Sequence, residues 1–137
     1  MKMLFRVLLT LVLVMGMAFA LHGAAMAEED TTWQEDFTYT TSAYKLILSK
    51  YNGTAENLTI PATARIGGAE YTVQLAPDCH EFFRYKSKLN TVTFAPGVDT
   101  GLVTNVRNMF ASCSNLTSVS GLTDVHSVVD MQNMFNS

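Results

Sequence analysis

The sequence predicts an α/β chain: stacked repeats built from short strands with short helical or irregular returns, preceded by a small β-rich region. Three observations carry this. An apolar leader runs from Met1 to Ala27, short β-prone runs punctuated by turn residues follow, and the C-terminal part copies itself at offsets of 25 and 27. The averaged hydrophobic content of 48% therefore mixes two unlike regions, and the leader must be set aside before the fold is read.

Lys2 and Arg6 open the leader, Val7 to Ala20 follow without a charge, and Ala25-Met26-Ala27 precede Glu28-Glu29-Asp30. A basic start, an apolar middle and small residues at the end are the layout of a secretory signal peptide, with cleavage expected after Ala27 and Ala20 as the alternative site. The strongly apolar part is too short to span ~30 Å of hydrocarbon as an anchor. Of the nine Lys/Arg, Lys2 and Arg6 leave with residues 1–27, so seven face twelve Asp/Glu, a formal charge of −5. Nucleic acid and anionic membrane need a basic footprint, so neither is expected as a partner.

Residues 28–36 are acidic and aperiodic and read as a flexible lead-in. Residues 37–78 read as a β-rich N-terminal region. Phe37 to Thr40 and Tyr44 to Leu48 are rich in aromatic, β-branched and aliphatic residues and predict strands. Asn52-Gly53 predicts a turn, because both residues tolerate positive φ. Leu58 to Ile60 predicts a strand stopped by Pro61, which has no amide hydrogen to donate. Gly67-Gly68 predicts a second turn, and Glu70 to Val73 a further strand.

Residues 79–137 repeat. Laid over Val128 to Ser137, the stretch Val103 to Ser112 shows five identities in ten positions: Val103/Val128, Asn108/Asn133, Met109/Met134, Phe110/Phe135 and Ser112/Ser137. Asn105 over Asp130 is conservative. Upstream, at an offset of 27, Phe83, Ser87, Leu89 and Val92 fall on Phe110, Ser114, Leu116 and Val119. These periods lie within the roughly 20–29 residues of leucine-rich repeats, which predicts a solenoid. Each coil supplies a strand, Leu89 to Phe94 and Leu116 to Val119, and stacking buries what one coil cannot. Leu89 is expected to align with Leu116 and Val92 with Val119. Phe83, Phe110 and Phe135 should form an aromatic column, while Thr91, Thr93, Ser118 and Ser120 face solvent.

The stretch Val103 to Val119 resembles the Met-Phe repeat of the BspA-like leucine-rich-repeat surface proteins of bacteria. Leu58-Thr59-Ile60-Pro61 and Ile66 to Val73 resemble the strands that open such arrays, so the resemblance covers about residues 57–137. It implies a surface-exposed adhesin. The chain departs from the family pattern at Phe82-Phe83, where an Ala-Phe pair is usual, and at Thr93-Phe94-Ala95-Pro96, with one more residue before Pro. It also stops at Ser137 within a repeat, which suggests a truncated product or a fragment.

Outside the repeat frame, few residues invite chemistry. Cys79-His80 suggests a thiol nucleophile, but neighbours on a strand point to opposite faces, and no orienting third group is evident. Cys113 reads as a buried thiol. A Cys79–Cys113 disulfide stays open: export permits it, but the offset of 27 places Cys79 over Val106. His80 and His126 lack zinc-ligand spacing, and no calcium loop, phosphate loop or Gly-x-Ser-x-Gly occurs. Three Asn-x-Thr sequences, at Asn52, Asn57 and Asn115, read as turn and strand chemistry. Asn108 and Asn133 read either as a ligand-facing stripe or, preferably, as an internal column bonding the backbone of each turn. No enzyme activity, cofactor or metal is expected. The expected function is a secreted or cell-surface binding module for an extracellular protein or glycan, with Thr91, Thr93, Ser118 and Ser120 as the candidate face. A structural spacer or stalk is the alternative.

Overall fold

The computed structural model describes residues 33–137, so the leader 1–27 and the start of the acidic lead-in lie outside the described residues. Trp33–Asp36, the end of the lead-in, forms a 3-10 turn. The Trp33 ring stands edge-on to Phe37 at 5.6 Å, and the Asp36 carbonyl accepts the Asn52 N–H.

The chain then forms β1 (Phe37–Ser42), β2 (Lys45–Tyr51), β3 (Asn57–Ile60), β4 (Thr63–Ile66), β5 (Ala69–Leu75), β6 (Thr91–Phe94) and β7 (Ser118–Ser120). β1 and β2 make a hairpin with Ser42 opposite Lys45. Its two-residue loop, Ala43-Tyr44, has φ of 45° and 63°. Two positive φ values suit the right-handed twist of the flanking strands, so Tyr44 lies in the turn rather than the expected strand. Asn52-Gly53, by contrast, has no positive φ. Gly53 is required there by space: a Cβ would stand 2.5 Å from the Tyr51 hydroxyl and 2.7 Å from Asp36 Oδ2. Gly67-Gly68 is a turn as expected, with φ of 59° and 79° between β4 and β5.

Two sheets result, β1-β2-β5-β4 and the all-parallel β3-β6-β7. Val92 pairs with Val119, so the offset of 27 is the true register, while Asn57 pairs with Thr91 across a longer span. Alternation sends Leu46, Leu48, Ile60, Val73, Leu75, Val92 and Phe94 into the core at 1% exposure or less. Phe83 and Phe110 stack at 5.0 Å with planes 5° apart, and Phe110 and Phe135 at 5.3 Å and 3°, which is the expected aromatic column. One core runs from Phe37 to Cys113, crossing the expected boundary at residue 78. β2 and β5 also pair in parallel at the offset of 27 that relates β6 to β7, Lys45 with Thr72.

The expected α/β class is corrected to a β-rich one, since the described residues hold no α-helix. In the returning segments, alternate N–H groups of Cys79, Glu81, Phe83 and Tyr85 bond to carbonyls of Asn105, Arg107, Met109 and Ala111. The intervening Phe82, Arg84 and Lys86 bond three residues back. The next turn repeats this from Val106 to Ser112 against Asp130 to Asn136. A helix needs every N–H for the carbonyl four residues back, so donors committed to the neighbouring turn exclude it. Left-handed residues at Glu81, Tyr85, Asn108, Ser112 and Asn133 also interrupt any helical run.

Candidate binding surfaces

β-strand alternation builds the first surface. With Leu58, Ile60, Val92, Phe94 and Val119 turned inward, Asn57, Thr59, Thr91, Thr93, Ser118 and Ser120 lie on the opposite face. Register arranges them in two rows, Asn57–Thr91–Ser118 and Thr59–Thr93–Ser120. Neighbours within a row are about 4.8 Å apart, the strand spacing. Thr91 Oγ1 donates to Asn57 Oδ1 at 2.9 Å, and Ser120 Oγ donates to Thr93 Oγ1 at 3.3 Å. Ser118 and Ser120 are exposed, while Thr91 and Thr93 are half-buried. The four expected residues thus share one face, joined by Asn57 and Thr59, which sequence reading left out. Asn57 pairs with Thr91 at an offset of 34, outside the repeat periods of 25 and 27 that alignment of the chain on itself brings out. This face offers neutral donors and acceptors and no titratable group.

A second surface lies on the returning side. Asp78, Asn105 and Asp130 align through isolated parallel bridges. The Oδ1 of each accepts the N–H two residues on, from His80 at 3.0 Å, Arg107 at 2.9 Å and Gln132 at 3.0 Å. This Asx turn explains why Asn and Asp interchange there. Around it runs an open groove of about 350 Å³ lined by His80, Glu81, Asn105, Arg107, Asn108 and Asp130. Glu81 pairs with Arg84, and His80 Nε2 lies 3.6 Å from the same carboxylate. Asn108 and Asn133 do not form the expected internal hydrogen-bonding column. Their φ values are 52° and 54°, and neither side chain has a hydrogen bond among the described residues. Asparagine recurs because it tolerates the left-handed region better than most residues.

The thiols are chemically quiet. Burial, and then the Asp78 carboxylate, push Cys79 up to about 12. Its Sγ donates to the Ala76 carbonyl at 3.1 Å. Cys113 is raised mainly by burial, and its Sγ donates to the Phe83 carbonyl at 3.0 Å. Both are free, which closes the disulfide alternative in this structure. Cys79 N–H bonds to the Asn105 carbonyl, which places it against Val106 as the offset implied. No group of three or more His, Cys, Asp or Glu side chains is placed to hold a metal among the described residues.

A third feature sits where the first return ends. Gly53, Thr54, Ala55, Tyr85, Lys86, Ser87, Lys88 and Leu89 line a notch of about 220 Å³. Lys86 Nζ donates to the Gly53 carbonyl at 3.1 Å and stands 5.3 Å from the Tyr51 ring centroid.

No protein-family model and no curated protein matches the chain. Among solved structures it is similar to a leucine rich cell surface protein from Faecalibacterium prausnitzii A2-165, at 21% identity and a TM-score of 0.42. The match covers 78% of this chain and 32% of that one, so this chain spans about a third of that protein's length.

Proposed function

We propose that this chain is a leucine-rich-repeat solenoid of the BspA-like type, exported to the cell surface or beyond. There it binds an extracellular protein or glycan on the uncharged face of β3, β6 and β7. The observation that carries the reading is the pair of in-register rows, Asn57–Thr91–Ser118 and Thr59–Thr93–Ser120. Such a face gives closely spaced hydroxyls and amides that suit many weak, directional contacts over a large partner. The Met-Phe repeat supports the family assignment, and the leader supports export. The acidic balance after the leader speaks against nucleic acid and anionic membrane.

The test is binding of the full chain to immobilised extracellular-matrix proteins and to a glycan array. A variant carrying Thr91→Val, Thr93→Val, Ser118→Ala and Ser120→Ala removes the hydroxyls and leaves the inward-facing side chains untouched. A roughly tenfold or greater loss in that variant, with an unchanged melting curve, supports this face, since one or two hydrogen bonds suffice for such a loss. Equal binding by the variant sinks it. Absence of any ligand leaves the spacer or stalk as the better reading.

A further inference from the structure

The repeat supplies its own internal control. Backbone bonding of the first return matches the second position by position: Arg84 N–H to Glu81 and Ala111 N–H to Asn108, both at 3.1 Å. Lys86 N–H to Phe83 matches Cys113 N–H to Phe110, and Leu89 N–H to Lys86 matches Leu116 N–H to Cys113. Tyr85 and Ser112 share the left-handed conformation, with φ of 64° and 59°. The backbone is thus satisfied in the second turn by Ala111-Ser112-Cys113-Ser114-Asn115, all small or neutral. In the first turn the same five places hold Arg84-Tyr85-Lys86-Ser87-Lys88. Arg84 pairs with Glu81 and Lys86 bonds the Gly53 carbonyl, but the backbone pattern calls for neither a tyrosine at 85 nor a lysine at 88.

These residues gather at the notch. Tyr85 is 65% exposed despite its size, at a φ unfavourable for a bulky side chain. The Arg84 guanidinium lies 4.5 Å from the Tyr85 ring centroid and is itself paired with Glu81. Lys86 is tethered to Gly53, whereas Lys88 is exposed and has no ion pair among the described residues. The Asp36 carboxylate lies against Gly53 and Tyr51, but no carboxylate lines the notch. An otherwise acidic chain therefore concentrates cationic charge beside an exposed aromatic ring.

We propose that this notch binds an acidic saccharide unit, a sugar ring carrying a carboxylate or sulfate. The sugar's C–H face packs on Tyr85, the anionic group meets Lys88 with support from Lys86, and ring hydroxyls reach Ser87 and Thr54. A volume of about 220 Å³, below the ~300 Å³ at which drug-sized sites begin, suits one ring. The site adjoins the start of the hydroxyl face, since Ala55 and Leu89 stand two residues before Asn57 and Thr91, but shares no residue with it.

The test titrates the full chain by calorimetry with 3′-sialyllactose, a chondroitin 6-sulfate disaccharide, lactose and a penta-glutamate peptide. Tyr85→Ser and Lys88→Asn install what the second turn carries at the same places, so both variants are expected to keep the wild-type melting curve. Binding is expected for the sialylated or the sulfated sugar, which distinguishes carboxylate from sulfate. Lactose should bind at least about tenfold more weakly, and either variant should weaken the acidic sugar by a similar factor. Gln132→Ala, at an exposed position outside both the notch and the hydroxyl face, should leave this binding unchanged. The proposal is overturned if neither acidic sugar binds or if lactose binds equally. It also fails if the two notch variants have no effect, or if the glutamate peptide binds there instead of the sugars. Should Lys88→Asn fail to fold, Lys88→Gln at the same exposed position replaces it with the same criteria.

Discussion

Replacing Phe110 separates the worth of the aromatic column from simple burial. Phe110 is 2% exposed and lies between two parallel rings, Phe83 at 5.0 Å and Phe135 at 5.3 Å. Phe110→Leu keeps most of the apolar transfer term and loses both ring pairs. At about 0.5–1.5 kcal/mol for each pair beyond area burial, the cost is about 1–3 kcal/mol. Phe110→Ala adds a cavity and should cost about 3–5 kcal/mol, a large share of the ~5–15 kcal/mol typical of a domain. Phe135 is 61% exposed and has one stacked partner, so Phe135→Leu should cost about 0.5–1 kcal/mol. Urea melts followed by fluorescence of Trp33, the single tryptophan, provide the readout. Trp33 is linked to the column through Phe37, Phe82 and Phe83, at centroid steps of 5.6, 6.1 and 4.7 Å. If Phe110→Leu costs no more than Phe135→Leu, the stacked geometry contributes nothing of its own. If far-UV circular dichroism shifts and Trp33 does not, the single continuous core is wrong.

Cys79 should resist iodoacetamide at pH 8 in the folded chain and react after unfolding in urea, as mass spectrometry of the labelled peptide would show. Because its folded value is raised from 9.0 to about 12, its contribution to stability is full below pH 9 and is lost as pH climbs toward about 12; Cys79→Ala should blunt that alkaline decline. Asp99 is held below the usual carboxylate value, first by the hydrogen bond from Lys45 and then by the Gly101 N–H against an opposing burial effect. Its contribution is therefore present above pH 3.8 and is lost as pH falls through the depressed value. With the Lys45 and Asp99 side chains 41% and 35% exposed, Asp99→Asn should cost only about 0.2–1 kcal/mol at pH 7, with the difference from wild type vanishing in strong acid. Gly121, at φ 84°, has no room for a Cβ, which would lie 1.9 Å from the Phe94 carbonyl oxygen; Gly121→Ala should lower stability by about 1–3 kcal/mol in a thermal melt. Asn108→Gly should be neutral or better, whereas Asn108→Val should lose about 1–2 kcal/mol at its left-handed φ, both read from the same melts.

What the sequence made legible was whatever it repeats. Phe83, Phe110 and Phe135 recur, so their column could be drawn before any coordinates, and the offset of 27 proved to be the register of β6 and β7. Chemical similarity at Asn105 and Asp130 hinted at a shared job, but the Asx turn needed the atoms. The hairpin at Ala43-Tyr44 was illegible because neither residue favours the positive φ that the strand twist imposes. Asn52-Gly53 misled for the opposite reason: a turn dipeptide was selected by the crowding of Tyr51 and Asp36. The returns were expected to be helical or irregular, and the choice stayed open because local patterning cannot reveal that alternate N–H groups are committed to a neighbouring turn. The notch was overlooked because aligning repeats rewards identities, and Tyr85 and Lys88 are differences.

The Asx corners at Asp78, Asn105 and Asp130 also govern how such a chain can vary in length. The first two corners stand at an offset of 27 and the last two at 25, yet the same bridges and the same side-chain bonds form at each. The arc from β6 to Asn105 is longer than the arc from β7 to Asp130 by that difference, so the slack lies between strand and corner. Between these two segments the whole length difference falls in that arc. From corner to ring column the count is rigid: Phe83, Phe110 and Phe135 each stand five positions after Asp78, Asn105 and Asp130 in turn. Gain or loss of a single residue in that interval would rotate an aromatic ring out of its stack, so natural length drift should spare it.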